Sequence, residues 1–178
     1  MTELRTERLL LRQWRDSDLD AWAAMNADPE VRRYFPTVLD REQSAGSLER
    51  FRADIADRGW GFWAVEVAGS GQFAGFTGLD KVDEGLPFAG VEIGWRLARE
   101  AWGLGYATEA ARAALAYGFE ELALPEILAV TAVGNERSRA VMARLGMTYD
   151  PADDFDDTDL PEGHPLRPSV LYRLEAAG

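Results

Sequence analysis

The chain has 178 residues, 47 % of them hydrophobic, with eight Phe, six Trp and five Tyr. That is enough for one domain with a substantial core, spanning residues 1–178, and too rich in large apolar side chains for a disordered polypeptide. The absence of cysteine excludes disulfides, a thiol nucleophile, cysteine-ligated zinc and iron–sulfur clusters, and one histidine, His164, cannot build a multi-histidine metal site. No metal is expected.

A net charge of −12 argues against nonspecific nucleic-acid binding, which needs a positive footprint. It is compatible with a cationic amine substrate, and equally with simple solubility. The amino terminus does not lead into an apolar run, and no stretch has the length of a membrane span. The expectation is a soluble cytoplasmic protein with no membrane partner, as a monomer or homodimer.

Leu9–Trp14 reads as a strand. Asp16 or Ser17 can cap a helix through Ala24. From Asp40 to Ala56, the apolar residues Leu48, Phe51 and Ile55 fall on one helical face. Phe62–Val67 and Phe73–Leu79 flank a Gly69–Ser70–Gly71 turn and read as a hairpin, and Val91–Leu97 as a third strand. The strongest helix signal runs from Ala107 to Leu122, ended by Pro125. Ile127–Val133 reads as a strand, Asn135–Leu145 as a helix stopped by Gly146, Pro151–Pro168 as a long acidic loop, and Ser169–Leu174 as a closing strand. The pattern is mixed α/β: an early helical pair, a strand meander, then strand–helix–strand–helix–strand.

Gly103 and Gly105 lie between a strand and the long helix. Glycines let phosphate oxygens approach backbone amides, and the helix that follows offers unpaired N–H groups and a positive dipole end. Thr108 can add a hydroxyl. The same two glycines would also serve a tight strand–helix turn with no ligand. Two nucleotide-binding alternatives fit badly: Thr108 takes the third glycine position of GxGxxG, and no Gly-Lys-Ser/Thr follows.

The run Trp95–Arg96–Leu97–Ala98–Arg99–Glu100–Ala101–Trp102–Gly103–Leu104–Gly105–Tyr106–Ala107–Thr108–Glu109–Ala110 resembles motif A of the GNAT acetyltransferase superfamily, and is most similar to the branch of ribosomal-protein N-terminal acetyltransferases. Arg8–Arg12, Gly61–Val65, Gly75–Leu79, Gly134–Arg139 and Leu145–Met147 resemble further segments of that branch, in the same order. The resemblance implies a single-domain GNAT-like fold: a mixed, mostly antiparallel central sheet flanked by helices, with splayed central strands. It implies acetyl-CoA as cosubstrate and an amine acceptor, either a protein N-terminus or a small molecule. One position departs from the motif. Glu100 stands where the family usually has Gln or Arg, and a carboxylate would repel a phosphate. Pyrophosphate binding is therefore expected from the backbone of Trp102, Gly103, Leu104, Gly105, Tyr106, Ala107 and Thr108, with Arg99 as a charge partner.

The resemblance further implies that the pantetheine arm lies between the strands around Trp95 and Val130, with the amides of Trp95 and Leu97 facing it and Asn135 contacting it. Glu92, a carboxylate in an apolar strand, is the candidate general base; a solvent-facing residue or an arginine partner is the alternative reading. Asn135 is a good helix N-cap. Ser138, in the first turn, is either part of that cap or a proton donor to the departing thiolate, since Ala140–Val141–Met142–Ala143 lacks the tyrosine that many GNAT enzymes carry. His164 and the tryptophans Trp22, Trp60 and Trp63 are candidate acceptor-side residues, or a loop residue and core residues respectively. The aspartates Asp153, Asp154, Asp156, Asp157 and Asp159 either steer a cationic acceptor or only solvate a loop. A non-catalytic CoA-binding module is the competing function.

Overall fold

A computed structural model describes residues 2–176. Among these residues nine strands form one sheet: β1 (Leu4–Arg5), β2 (Leu9–Arg12), β3 (Phe62–Val67), β4 (Phe73–Lys81), β5 (Val91–Leu97), β6 (Glu126–Ala132), β7 (Thr148–Tyr149), β8 (Phe155–Asp156) and β9 (Pro168–Glu175). Their spatial order is β1-β2-β3-β4-β5-β6-β9-β7, with β8 also on β9. Every pairing is antiparallel except β5 with β6. The expected mixed, mostly antiparallel sheet is thus present.

Among the described residues four α-helices flank the sheet: α1 (Leu19–Ala27), α2 (Arg41–Arg58), α3 (Tyr106–Glu120) and α4 (Glu136–Arg144). Asp40 caps α2 by accepting from the Gln43 amide at 2.8 Å, while Gln43 accepts from the Asp40 amide at 2.9 Å. This reciprocal pair satisfies two backbone donors at a helix start. Helix α3 stops at Glu120, short of the expected Leu122, because Ala123 turns into the left-handed region at φ 50°. Strands β1, β7 and β8 were not expected; each is two residues long and carries no periodicity.

The strand period assigns the two sheet faces. Leu79 of β4 faces α3, where it sits close to Gly118. Phe76, three residues earlier, points the other way and packs on Trp22 of α1 and Phe51 of α2 at ring distances of 5.8 and 5.5 Å. Trp14 adds to this aromatic layer, 5.1 Å from Trp22. Trp22 and Trp63 are fully buried, so both are core residues and the acceptor-lining reading is dropped for them.

Beside this layer Arg12 is buried with carboxylates on two sides. It donates two bonds to Asp18 at 2.8 Å each and one to Glu66 at 2.7 Å. Burial opposes its charge, but these bonds outweigh that and raise its pKa. Asp18→Ala removes the fully buried partner and leaves the cation half-compensated. The expected loss is about 3 kcal/mol of folding stability, read as a lower urea midpoint with an unchanged slope. A midpoint equal to that of the native chain would make the pair energetically idle.

Candidate active site

Strand β5 is paired with β4 along its whole length, and β6 with β9 along its whole length. Between β5 and β6 the register holds only at Glu92 and Leu128. Beyond that point the two strands diverge, as the resemblance implied. A groove of ≈ 1920 Å³ runs through the opening and reaches both faces of the sheet.

On the α3 face the groove meets the glycine loop. A short 3-10 turn, Arg99–Ala101, precedes it. Gly103 and Gly105 take φ of 74° and 81°, a region costly for residues with a Cβ. Gly105 is the N-cap of α3 and has no side chain to cap it. The first helical bond runs from the Glu109 amide to the Gly105 carbonyl. The amides of Tyr106, Ala107 and Thr108 precede that bond and find no acceptor within the helix. Such a row of donors at a positive dipole end fits a pyrophosphate. Trp102, Gly103, Gly105, Tyr106, Ala107 and Thr108 all line the groove; Leu104 does not, and instead gives its carbonyl to Arg8 at 3.0 Å.

Two charges at the loop differ from expectation. Glu100 is exposed and does not line the groove, so its carboxylate does not meet the phosphate path. Arg99 turns away to Asp28 at 3.5 Å and lines nothing here. Two cations border the loop instead: Arg137, 4.6 Å from the Trp102 ring centre, and Arg8, which enters from just before β2 and contacts the Leu104 carbonyl. Its guanidinium lies 4.9 Å from the Tyr106 ring centre, and a Cβ on Gly105 would sit 3.4 Å from it. Glu109 holds Arg8 in place through Nε at 2.7 Å. Burial works against the Glu109 charge, yet hydrogen bonds from Thr6 and Arg8 keep its pKa below the ordinary value.

In the opening itself, Trp95 and Leu97 of β5 and Asn135 and Ser138 of α4 all line the groove. The Leu97 carbonyl is taken by the Trp102 indole at 2.8 Å. Asn135 does three things at once. Its Oδ1 accepts from the Ser138 amide at 3.3 Å, and its Nδ2 donates to Thr131 Oγ1 at 2.9 Å and to Ser138 Oγ at 3.1 Å. Because Ser138 Oγ accepts that bond, its own proton is free to be given elsewhere.

On the opposite face, Glu92 lines the groove at the point where the strands part. Burial raises its pKa to about 7, and the like charges of Asp83 and Asp80 add to the shift. Asp80 is its cross-strand neighbour and is paired with Arg58 at 2.9 Å. A carboxyl poised near neutrality suits proton transfer from an amine. Asp83→Asn removes the larger of the two repulsions. The midpoint of Glu92 ionisation is expected to move to lower pH, visible as an earlier rise in a pH–rate profile; an unmoved profile would disconnect Asp83 from Glu92.

The remaining candidates are not brought to this groove. Trp60 is not among its lining residues. His164 borders a separate small hollow and accepts the Leu166 amide at 3.2 Å, a turn within its own loop. Of the acidic cluster, Asp153 pairs with Arg173 at 2.9 Å, Asp156 with Arg167 at 3.0 Å, and Asp154 accepts from Tyr149 at 3.0 Å. Only Asp157 and Asp159 of that cluster reach the groove.

A family model described as acetyltransferase (GNAT) domain matches residues 8–148. The chain belongs to the GNAT acetyltransferase family. Among its relatives, the uncharacterized protein YkkB of Bacillus subtilis (strain 168) is 34 % identical over 150 residues, 83 % of this chain and 86 % of that one. The crystal structure of a GNAT-family acetyltransferase from Bacillus anthracis has a TM-score of 0.82 at 26 % identity, covering 98 % of each chain. RimL, the ribosomal L7/L12 alpha-N-protein acetyltransferase, in a structure with coenzyme A, shares the fold with a TM-score of 0.77 at 15 % identity, over 98 % of each chain. This GNAT chain is thus a transferase with the open, helix-flanked sheet of its relatives. No helix among its described residues is long and apolar enough to cross a membrane.

Proposed function

We propose that the protein transfers an acetyl group from acetyl-CoA to a primary amine, a protein N-terminal amine being one form of acceptor. The observation that carries this reading is the single groove that joins the free amides of the glycine loop on one face to Glu92 on the other. Acetyl-CoA supplies the thioester. The Trp102 amide is already given to the Arg99 carbonyl, so the amides of Gly103, Gly105, Tyr106, Ala107 and Thr108, with the Arg8 guanidinium, hold the pyrophosphate. The unpaired edge of β5 near Trp95 and Leu97, together with Asn135, borders the pantetheine arm. Backbone N–H groups there stabilise negative charge on the acyl oxygen, usually the largest catalytic contribution.

Glu92 removes a proton from the amine, which frees its lone pair to attack. Ser138, oriented by Asn135, returns a proton to the departing sulfur. RimL, whose structure holds coenzyme A and whose name records a ribosomal protein as acceptor, supports the donor and the protein N-terminus as one acceptor. The test is release of free CoA from acetyl-CoA with a panel of amines, followed by mass spectrometry of the acceptor. Amine-dependent CoA release with a mass gain of one acetyl group is expected. Tight binding of acetyl-CoA with no release for any amine would instead make this a CoA-binding module.

A further inference from the structure

Two arginines are treated in opposite ways: Arg12 is buried, and Arg96 is half-buried with its Nε withdrawn from solvent. Arg12 has a carboxylate on each side. Arg96 has none. Its Nε is buried with no hydrogen-bond partner. Burial and the like charge of Arg32 lower its pKa to about 9, with no carboxylate among the described residues offsetting them. It remains a cation at neutral pH. A desolvated cation ordinarily carries a paired anion. Unlike Arg12, Arg96 lines the groove.

Its surroundings are aromatic. The guanidinium lies 4.8 Å from the Trp22 ring centre, 4.8 Å from Phe35 and 5.2 Å from Phe76. Ring faces attract a cation, but they do not take the in-plane N–H donors that give arginine its preference for carboxylate and phosphate. Arg32 approaches the same Phe35 ring at 4.5 Å and is anchored by the Thr37 carbonyl at 2.7 Å. Two cations thus converge on one ring.

The register relates Arg96 to Glu92. Arg96, Gly94 and Glu92 stand opposite Phe76, Gly78 and Asp80 of β4, so all three share the α1–α2 face. Four residues of strand separate the two charged positions by about 13 Å of backbone. Gly94 leaves the space between them to Phe62, whose ring would be 2.9 Å from a Cβ there. Phe62 also lines the groove.

We propose that Arg96, supported by Arg32, is an anion-recognition residue of the acceptor site, so that the acceptor is an amine that also carries a carboxylate or phosphate group. This rests on the reading of Glu92 as the base in the same groove. The amine faces Glu92, the body of the acceptor crosses the Phe62 ring, and the anion takes the donors of Arg96. Of the two readings of the acidic loop, this proposal needs no steering by it: Asp153, Asp154 and Asp156 are engaged with their own neighbours.

The test uses matched acceptors. ω-Amino acids from glycine to 6-aminohexanoate are compared with their amides, and phosphoethanolamine with ethanolamine. Two quantities are read: kcat/KM from CoA release, and affinity by calorimetry with CoA present, which needs no turnover. The native protein is expected to favour one anionic series by about 10- to 100-fold over its neutral counterparts, and the better series tells carboxylate from phosphate. Arg96→Gln is expected to lower kcat/KM and affinity for the anionic members far more than for the neutral ones, abolishing that preference. Equal values for the anionic and neutral members, failure of every anionic member to bind, or a preference that survives in Arg96→Gln would overturn the proposal. If Arg96→Gln does not fold, the native comparison decides alone, with Arg32→Gln expected to reduce the preference in part. An anionic preference in binding without acetylation of any amine would sink the transferase reading and keep Arg96; acetylation without the preference would do the reverse.

Discussion

Glu92→Gln is expected to lower turnover by on the order of 10²-fold or more at neutral pH, with acetyl-CoA affinity little changed. Glutamine keeps the shape and loses the basicity. The sign of the pH effect follows from the raised pKa of about 7. Glu92 is protonated and inactive as a base below that value and ionised above it, so the native rate should climb through pH 7 and level off beyond pH ~8. The variant should lack this limb. At high pH, where the amine is already neutral, it should recover part of the rate. Full activity at neutral pH, or a native profile flat from pH 6 to 8, would make Glu92 structural.

Gly105→Asp is expected to weaken acetyl-CoA binding by about 100-fold or more, a loss that combines missing charge-assisted bonds with like-charge repulsion. A side chain at this position starts 3.4 Å from the Arg8 guanidinium, so a carboxylate there would capture Arg8 and occupy the phosphate approach. Backbone strain is a separate effect, because Gly105 holds φ at 81°. Gly105→Asn distinguishes the two: asparagine tolerates that region and carries no charge. The asparagine variant should lose much less affinity in calorimetry. Equal losses would point to backbone strain, and unchanged affinity in a folded aspartate variant would remove the loop from the donor site.

The elements with strong local codes were legible before any coordinates. Asp40 with Gln43, Asn135 with Ser138, and the glycine pair before α3 each state a helix start through bonds that span three or four residues. What stayed hidden depends on distance along the chain. Arg8 reaches the glycine loop from nearly a hundred residues away, and Arg99, the nearer cation by sequence, is drawn off by Asp28. Arg96 is one residue of the motif run and carries no signal of its own until the rings of Trp22, Phe35 and Phe76 close around it. The run of aspartates reads as a field of free carboxylates because its partners lie outside the run, Tyr149 before it and Arg167 and Arg173 after it. Glu92 was visible as a misplaced carboxylate in an apolar strand; its raised pKa needs the fold, which buries the carboxyl and, to a lesser extent, brings Asp83 and Asp80 close to it.

The single register point between β5 and β6 makes the sheet two plates joined by a hinge pin. One plate, β1 to β5, is braced by α3 and the aromatic layer; the other, β6 to β9, is braced by β9 running across the short strands. Each plate is continuous within itself, so fluctuations should concentrate at the joint rather than within either plate. A ligand that threads the joint would clamp the plates together. Amide hydrogen exchange should then slow most at the facing edges of β5 and β6 when acetyl-CoA is added, far more than in β2 or β3, and the donor would act as part of the scaffold while it is bound.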